Sequence, residues 1–268
     1  MGCRLRAARR VGKAPRPSRR QDRRTARWRP GVPSTVEQTG PGSASTPPGS
    51  PRPVTGAGRT GPYSHLMDSE RVRDGYSAVA GLYIELFGST AQVHADDLAL
   101  IGRHLSIRPG RVLDLGCGPG HLTGHLRSLG VDATGIDMVP EFIAHARAAH
   151  PDGDYRLGSM TALDAGDHTI GGILAWYSLI HLPPPDLDGA LAEFRRVLAP
   201  GGTLVAGFVD GDVAGPFDHK VTTAYRWPAD EFSERLRGAG FIEVERGRRP
   251  ADGANRPHAA IVAVTRER

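Results

Sequence analysis

Apolar residues recur along this 268-residue chain in two rhythms, and both begin only beyond residue 62. Past Met67, Val79, Leu82, Tyr83 and Leu86 stand at i, i+3, i+4 and i+7, the spacing of one helical face. A second helix is predicted over residues 92–105. Short apolar runs bounded by glycine and polar clusters then alternate with helical periods to the end of the chain. The predicted strands are 111–116, 132–137, 153–157, 170–177, 203–209, 241–246 and 258–265. The helices between them are predicted near 121–129, 139–149, 186–198 and 229–238.

The helical faces define a candidate core. Leu122, Leu126 and Leu129 form one, and Val139, Phe142, Ile143 and Ala146 the next. Ala190, Leu191, Phe194, Val197 and Leu198 form a third. Pro228 opens the last helix and Gly240 closes it, each at the end where that residue is tolerated. Repeated strand–helix units imply an α/β fold. We expect a Rossmann-like, seven-stranded, mostly parallel sheet with helices on both faces, preceded by a disordered N-terminal tail.

Charge divides the chain in the same place. Residues 1–62 carry 14 Lys and Arg against Asp22 and Glu37, a net of +12, while the remainder carries −7. The first part also holds ten prolines and nine glycines and has no periodic apolar face, so it has no means of building a core. It is read as a disordered basic tail over 1–62, with the domain over 67–268 and Met67 as the expected native start. No apolar run follows Arg9 and Arg10, as a secretory signal requires, and Arg6 stands where a myristoylation signal has Ser or Thr. A DNA-binding body is not supported by the acidic remainder. No apolar run is long enough for a membrane span. Cys3 and Cys117 sit in unlike contexts, which argues against a disulfide scaffold and for a reducing, cytoplasmic setting. The zinc signatures CxxC and HExxH, the hydrolase GxSxG and the P-loop are absent, as is any His/Asp cluster with metal-ligand spacing.

The stretch richest in chemistry is Val112-Leu-Asp114-Leu-Gly116-Cys-Gly118-Pro-Gly120-His-Leu-Thr123. It reads as a strand, a glycine turn and a helix, which in an open α/β sheet brings backbone close to a ligand. The next strand ends at Asp137, 21 residues after Gly116, where a carboxylate can accept from both hydroxyls of a ribose. His121 replaces the third glycine of a dinucleotide fingerprint, and Asp114 would repel a pyrophosphate but attract an ammonium group. The ligand therefore has a ribose and a cationic, amino-acid-like end. S-adenosylmethionine is such a ligand.

Asp114-Leu-Gly-Cys-Gly-Pro-Gly120 resembles motif I of the class I, Rossmann-like S-adenosylmethionine-dependent methyltransferases. Gly135-Ile-Asp137-Met138, Gly158-Ser-Met-Thr-Ala-Leu163, Ile173 to His181 and Ala192 to Gly202 are similar to that family's later motifs, in order. Overall the chain resembles the small methyltransferase-domain type, whose substrates are small molecules. The resemblance implies a cofactor site of Asp114, Gly116, Cys117, Gly118, Gly120, Asp137, Met138, Ser159, Met160, Trp176 and Tyr76. Ser159 stands where the family often has Asp, so adenine contact is expected from the Met160 backbone and the Met138 side chain. Cys117 is expected to be a buried spacer. Tyr76 is expected on a helix that lids the cofactor, and His181, after the fourth strand, is the candidate base. The segment 210–227 is expected to shape the acceptor pocket or to form a solvated hairpin. The implied activity is methyl transfer to a small molecule by in-line displacement, with no metal, no nucleic acid partner and no membrane span. The alternatives are an RNA methyltransferase aided by the basic tail, a non-catalytic protein of the same fold, and a nicotinamide-dependent oxidoreductase.

One prediction concerns the tail. A chain of residues 67–268 should match the full chain in melting temperature and in affinity for S-adenosylmethionine, measured by calorimetry. A truncated chain that melts several degrees lower would show that the tail packs on the domain.

Overall fold

The four residues of β1 (Val112–Leu115) are all buried, which is the signature of a central strand covered on both faces. In this computed structural model the described residues are 64–107, 109–253 and 255–266, with side chains from Ser69 onward. The expectation of a disordered tail over 1–62 lies outside them.

Two helices come first, α1 (Ser64–Phe87) and α2 (Ala95–Leu105). After β1 the chain runs α3 (His121–Ser128), β2 (Ala133–Asp137), α4 (Pro140–Ala149), β3 (Asp154–Leu157) and β4 (Ile170–Trp176). It continues through α5 (Pro184–Val197), β5 (Leu198–Val209), a hairpin of β6 (Gly215–Phe217) and β7 (Ala224–Arg226), α6 (Ala229–Gly238), β8 (Phe241–Arg249) and β9 (His258–Thr265). The seven-stranded sheet has the order β3-β2-β1-β4-β5-β9-β8. Its first five strands are parallel, and β9 pairs antiparallel with both β5 and β8. This is the expected mostly parallel sheet. Strand order reverses between β1 and β4, so their carboxyl ends open a crevice there.

Side-chain alternation sends each strand's residues to two cores. Leu113 and Leu115 of β1, with Leu204, Ala206 and Phe208 of β5, pack with α5 and α6. Val112, Leu174 and Val205 face the other way, onto Leu100, Ile101 and Leu105 of α2 and Leu122 and Leu126 of α3. The faces expected for α4 and α5 are buried as read. Two expectations need correction. Leu129 is exposed, because α3 stops at Ser128 and the chain turns away at Gly130. On α1 the buried face is rotated by one residue: Ala80 is buried and Tyr76, Tyr83 and Ile84 pack beside it, whereas Leu82 and Leu86 are exposed. Burial follows the aromatic partners Phe142 and Tyr76, not the aliphatic count. The second helix also starts later than expected, after a 3-10 turn at Thr90–Gln92.

Asp97 of α2 is buried and receives Arg249 of β8 in a two-pronged contact, both bonds at 2.6 Å. Burial pushes the Asp97 carboxyl up, but His258 and Arg249 outweigh it and hold it down at about 2. A carboxyl lowered by folding stabilises the protein above its unfolded value of about 3.8, and that contribution is lost as pH falls toward 2. Asp97→Asn should therefore cost on the order of 2 kcal/mol at pH 6. The gap from the parent should narrow steadily between about pH 4 and pH 2, as read by urea unfolding at each pH.

Candidate functional site

Gly116, Gly118 and Gly120 all hold positive φ, at 71°, 52° and 85°, which only glycine adopts without strain. A Cβ on Gly116 would also lie 2.3 Å from Ser178 Cβ. Every N–H of this turn is used internally. Gly116 and Cys117 donate to the Ile136 carbonyl, Gly120 donates to the Cys117 carbonyl, and Pro119 has none to give. Gly118 donates to Asp137 Oδ2 at 2.8 Å. The turn is therefore not an anion cradle.

The crevice at the carboxyl ends of β1, β2 and β4 is a cavity, and Gly116, Gly118, Asp137, Met138, Ser159, Met160, Trp176, Tyr76 and His181 all line it. Three expected site residues lie off its surface. Asp114 is buried beneath the turn, where Thr123 Oγ1 donates to its Oδ2 at 2.6 Å, and burial raises its carboxyl to about 7. Cys117 packs against Ile143, Ala146 and Tyr155, the buried spacer expected, and burial pushes its thiol up. Gly120 faces the same cluster, since a Cβ there would meet Ala146 and Tyr155 at 2.7 Å. It brings α3 close to α4 and β3.

Asp137 stands at the tip of β2, yet it is only 8% exposed. Besides Gly118, it accepts from the Val139 N–H at 2.9 Å through Oδ1. Burial raises its carboxyl, and these backbone N–H groups oppose the rise. The carboxylate thus ties the glycine turn to the start of α4 while one side faces the cavity. Ser159 is occupied locally: its Oγ accepts from the Thr161 N–H at 3.2 Å and lies 2.9 Å from Thr161 Oγ1. Trp176 lies over Gly207, where a Cβ would meet its ring at 2.7 Å. Tyr177 also lines the cavity, at φ 55°, while its hydroxyl turns inward to hydrogen-bond with His258 Nδ1 at 2.6 Å.

His181 ends a 3-10 turn, Leu179–His181, beyond β4. Its Nδ1 lies 2.9 Å from the Thr223 carbonyl oxygen, which can only accept, so Nδ1 carries the proton. Its Nε2 is then a bare acceptor, and the Tyr76 hydroxyl donates to it at 2.8 Å. Burial lowers the imidazole pKa, against a smaller opposite effect of the Thr223 carbonyl. Burial, then Tyr83 and Asp137, push the Tyr76 hydroxyl far up. His219 stacks edge-on to His181 with centroids 5.2 Å apart, and burial first, then His181 and Arg256, lowers it to about 4. The segment 210–227 is a hairpin that backs the cavity wall through Thr223 and His219 without lining it.

Sequence reasoning passed over Ser178, Asp186 and Phe142 as cavity residues. The Ser178 hydroxyl is buried without a protein partner. Its signal was its place two residues past the end of β4, directly after Trp176 and Tyr177. Asp186 sits in the first turn of α5, where an acid reads simply as a response to the helix dipole.

Residues 112–202 match the methyltransferase domain family. A malonyl-(acyl-carrier protein) O-methyltransferase of Erwinia billingiae is 35% identical over 150 residues, 53% of this chain and 57% of the relative. The chain thus spans just over half that protein's length. A 1,6-didemethyltoxoflavin-N1-methyltransferase of Burkholderia thailandensis, solved with 1,6-didemethyltoxoflavin and S-adenosylhomocysteine, superposes with a TM-score of 0.65 at 22% identity, over 80% of this chain and 94% of that one. The cyclase SpnF superposes at 0.64 and 21% identity, over 75% and 97%. At such identities these two structures speak for the fold alone. Residues 112–202 are thus similar to the methyltransferase domain family, and with the glycine turn and the strand order the chain has the class I, Rossmann-like methyltransferase fold.

Proposed function

We propose that this chain is an S-adenosylmethionine-dependent methyltransferase that transfers a methyl group to a small-molecule acceptor by in-line displacement. The observation that carries the reading is the internally satisfied glycine turn beside Asp137. With the N–H groups of residues 116–120 all used, the turn itself offers less to a pyrophosphate than a phosphate-binding loop does, so it fits a cationic ligand better than a dinucleotide. The Asp137 carboxylate has lone pairs beyond the two its backbone partners use, and these suit ribose hydroxyls. Ile136, Met138 and Met160 supply an apolar slot for adenine. Ser178 Oγ offers an unused partner near Gly116 for the amino-acid end.

When bound, S-adenosylmethionine supplies a methyl group on a positively charged sulfur. The protein's part is to align the acceptor and to exclude water. Tyr76 and Tyr83 of α1 close the cavity over Asp137 and Phe142. The name of the 1,6-didemethyltoxoflavin methyltransferase supports a small-molecule acceptor. Among the described residues no helix is long and apolar enough to cross a membrane. A cytoplasmic location is part of the same reading, supported by the free, buried Cys117.

Calorimetry should show binding of S-adenosylmethionine and S-adenosylhomocysteine and none of NAD. Asp137→Ala should weaken binding by about 2 kcal/mol, since the hydroxyls lose a charged acceptor. Thermal melting of the same variant separates loss of ligand contact from loss of the turn. Unchanged affinity in a folded variant would overturn this placement of the ribose.

A further inference from the structure

The Tyr76 and His181 side chains come from α1 and from the exit of β4, 105 residues apart, and meet on the cavity wall. The direction of their hydrogen bond is settled by the third partner. Because the Thr223 carbonyl takes the Nδ1 proton, neutral His181 presents only a lone pair at Nε2, and Tyr76 must donate to it. Nε2 is therefore not open to an acceptor molecule. The Tyr76 oxygen is the atom of the pair that keeps unused lone pairs toward the cavity.

We infer, on the methyltransferase reading above, that Tyr76 and His181 form a proton relay, with Tyr76 touching the acceptor and His181 behind it, and that the acceptor is a neutral hydroxyl compound. The acceptor's O–H proton passes to the Tyr76 oxygen as the tyrosine's own proton passes to His181 Nε2. The acceptor oxygen forms its bond to the methyl carbon as the carbon–sulfur bond breaks, and that bonding pair stays on sulfur as a neutral thioether. His181 leaves the step as imidazolium, and its proton is later lost to water. The cavity thus holds one positive charge before the step, on sulfur, and one after it, on His181. Burial of these groups then costs about the same on both sides of the reaction.

The chemistry selects the acceptor class. A carboxylate is already ionised at neutral pH and a thiol ionises easily, so neither needs a relay. A hydroxyl does, because it is a poor nucleophile until its proton leaves. The lining agrees: its charged side chains are Asp137 and Asp186, and among the described residues it includes no Lys or Arg to hold a carboxylate. The charged and titratable groups that face the pair are Tyr83 on α1, Asp137 at the end of β2, Asp186 on α5 and His219 on the hairpin. His219 is held neutral by burial, so it adds no charge beside His181 near neutrality.

The test has a part that needs no turnover. Nitrogen-15 NMR of the labelled protein should show His181 neutral, with its proton on Nδ1, at pH 7. Tyr76→Phe keeps the ring that closes the cavity and removes only the hydroxyl, so it should shift the Nε2 resonance while the melting temperature holds and S-adenosylhomocysteine still binds. The protein is then assayed with S-adenosylmethionine against phenols, catechols and aliphatic alcohols, alongside carboxylates and thiols. We expect methyl transfer to hydroxyl compounds, a loss in kcat of about a hundredfold in Tyr76→Phe with little change in KM for the cofactor, and an acid limb in the kcat profile. The limb reflects protonation of His181, and His181→Ala should lack it. Transfer only to carboxylates or thiols, no transfer to any hydroxyl compound, or an undiminished kcat in Tyr76→Phe would overturn the relay. Each of these outcomes, with S-adenosylhomocysteine binding retained, would leave the cofactor reading standing.

Discussion

The Asp137 carboxylate is the point on which the site depends. One of its oxygens takes the Gly118 N–H and the other the Val139 N–H, so a single buried side chain holds the glycine turn and the start of α4 in register. Hydrogen bonds to a charged acceptor are about twice as strong as neutral ones, and a buried carboxylate left without them would be costly. The same bonds consume donors that a phosphate-binding turn would keep free. Structural support and ligand choice therefore come from one set of bonds.

Around that point the cavity is closed by elements far apart in the chain. Tyr76 comes from α1, His181 from the exit of β4, and Thr223 from the hairpin before α6, and they join through two hydrogen bonds at a single imidazole. Gly75 lets the helix approach the hairpin, since a Cβ there would lie 3.1 Å from Val221 Cγ1. A second buried chain runs behind the cavity. It leads from the Tyr177 hydroxyl through His258 to Asp97 and Arg249, across β4, β9, α2 and β8. Tyr177, at its outer end, holds φ 55° just past the last residue of β4.

Much of this was legible in the residues because it rests on local constraints. The alternation of Val112 to Leu115 with glycines, and the 3.6-residue faces of α4 and α5, depend only on neighbours in the chain, and these predicted elements are present. Two successive motifs, Gly116 and Gly118 of the first and Asp137 and Met138 of the second, also reached the cavity together. The rotated face of α1 was not legible, because Leu82 and Leu86 satisfy helical spacing as well as Tyr76 and Tyr83 do. Only the position of Phe142 decides between them.

The sequence by itself determined the order of strands and helices, the left-handed glycine turn and the acidic residue at the tip of β2, since each follows from period, φ preference and spacing. The tertiary structure decided which polar groups face the cavity and which are consumed in holding it. Asp114, Cys117 and Gly120 share a motif with Gly116, yet they lie beneath the turn, held there by Thr123 and by Ile143, Ala146 and Tyr155, which the chain brings in from α3, α4 and β3. The state of His181 was decided in the same way. Its tautomer depends on a carbonyl 42 residues away and its partner on a hydroxyl 105 residues away, and contacts at such separations exist only once the sheet has assembled.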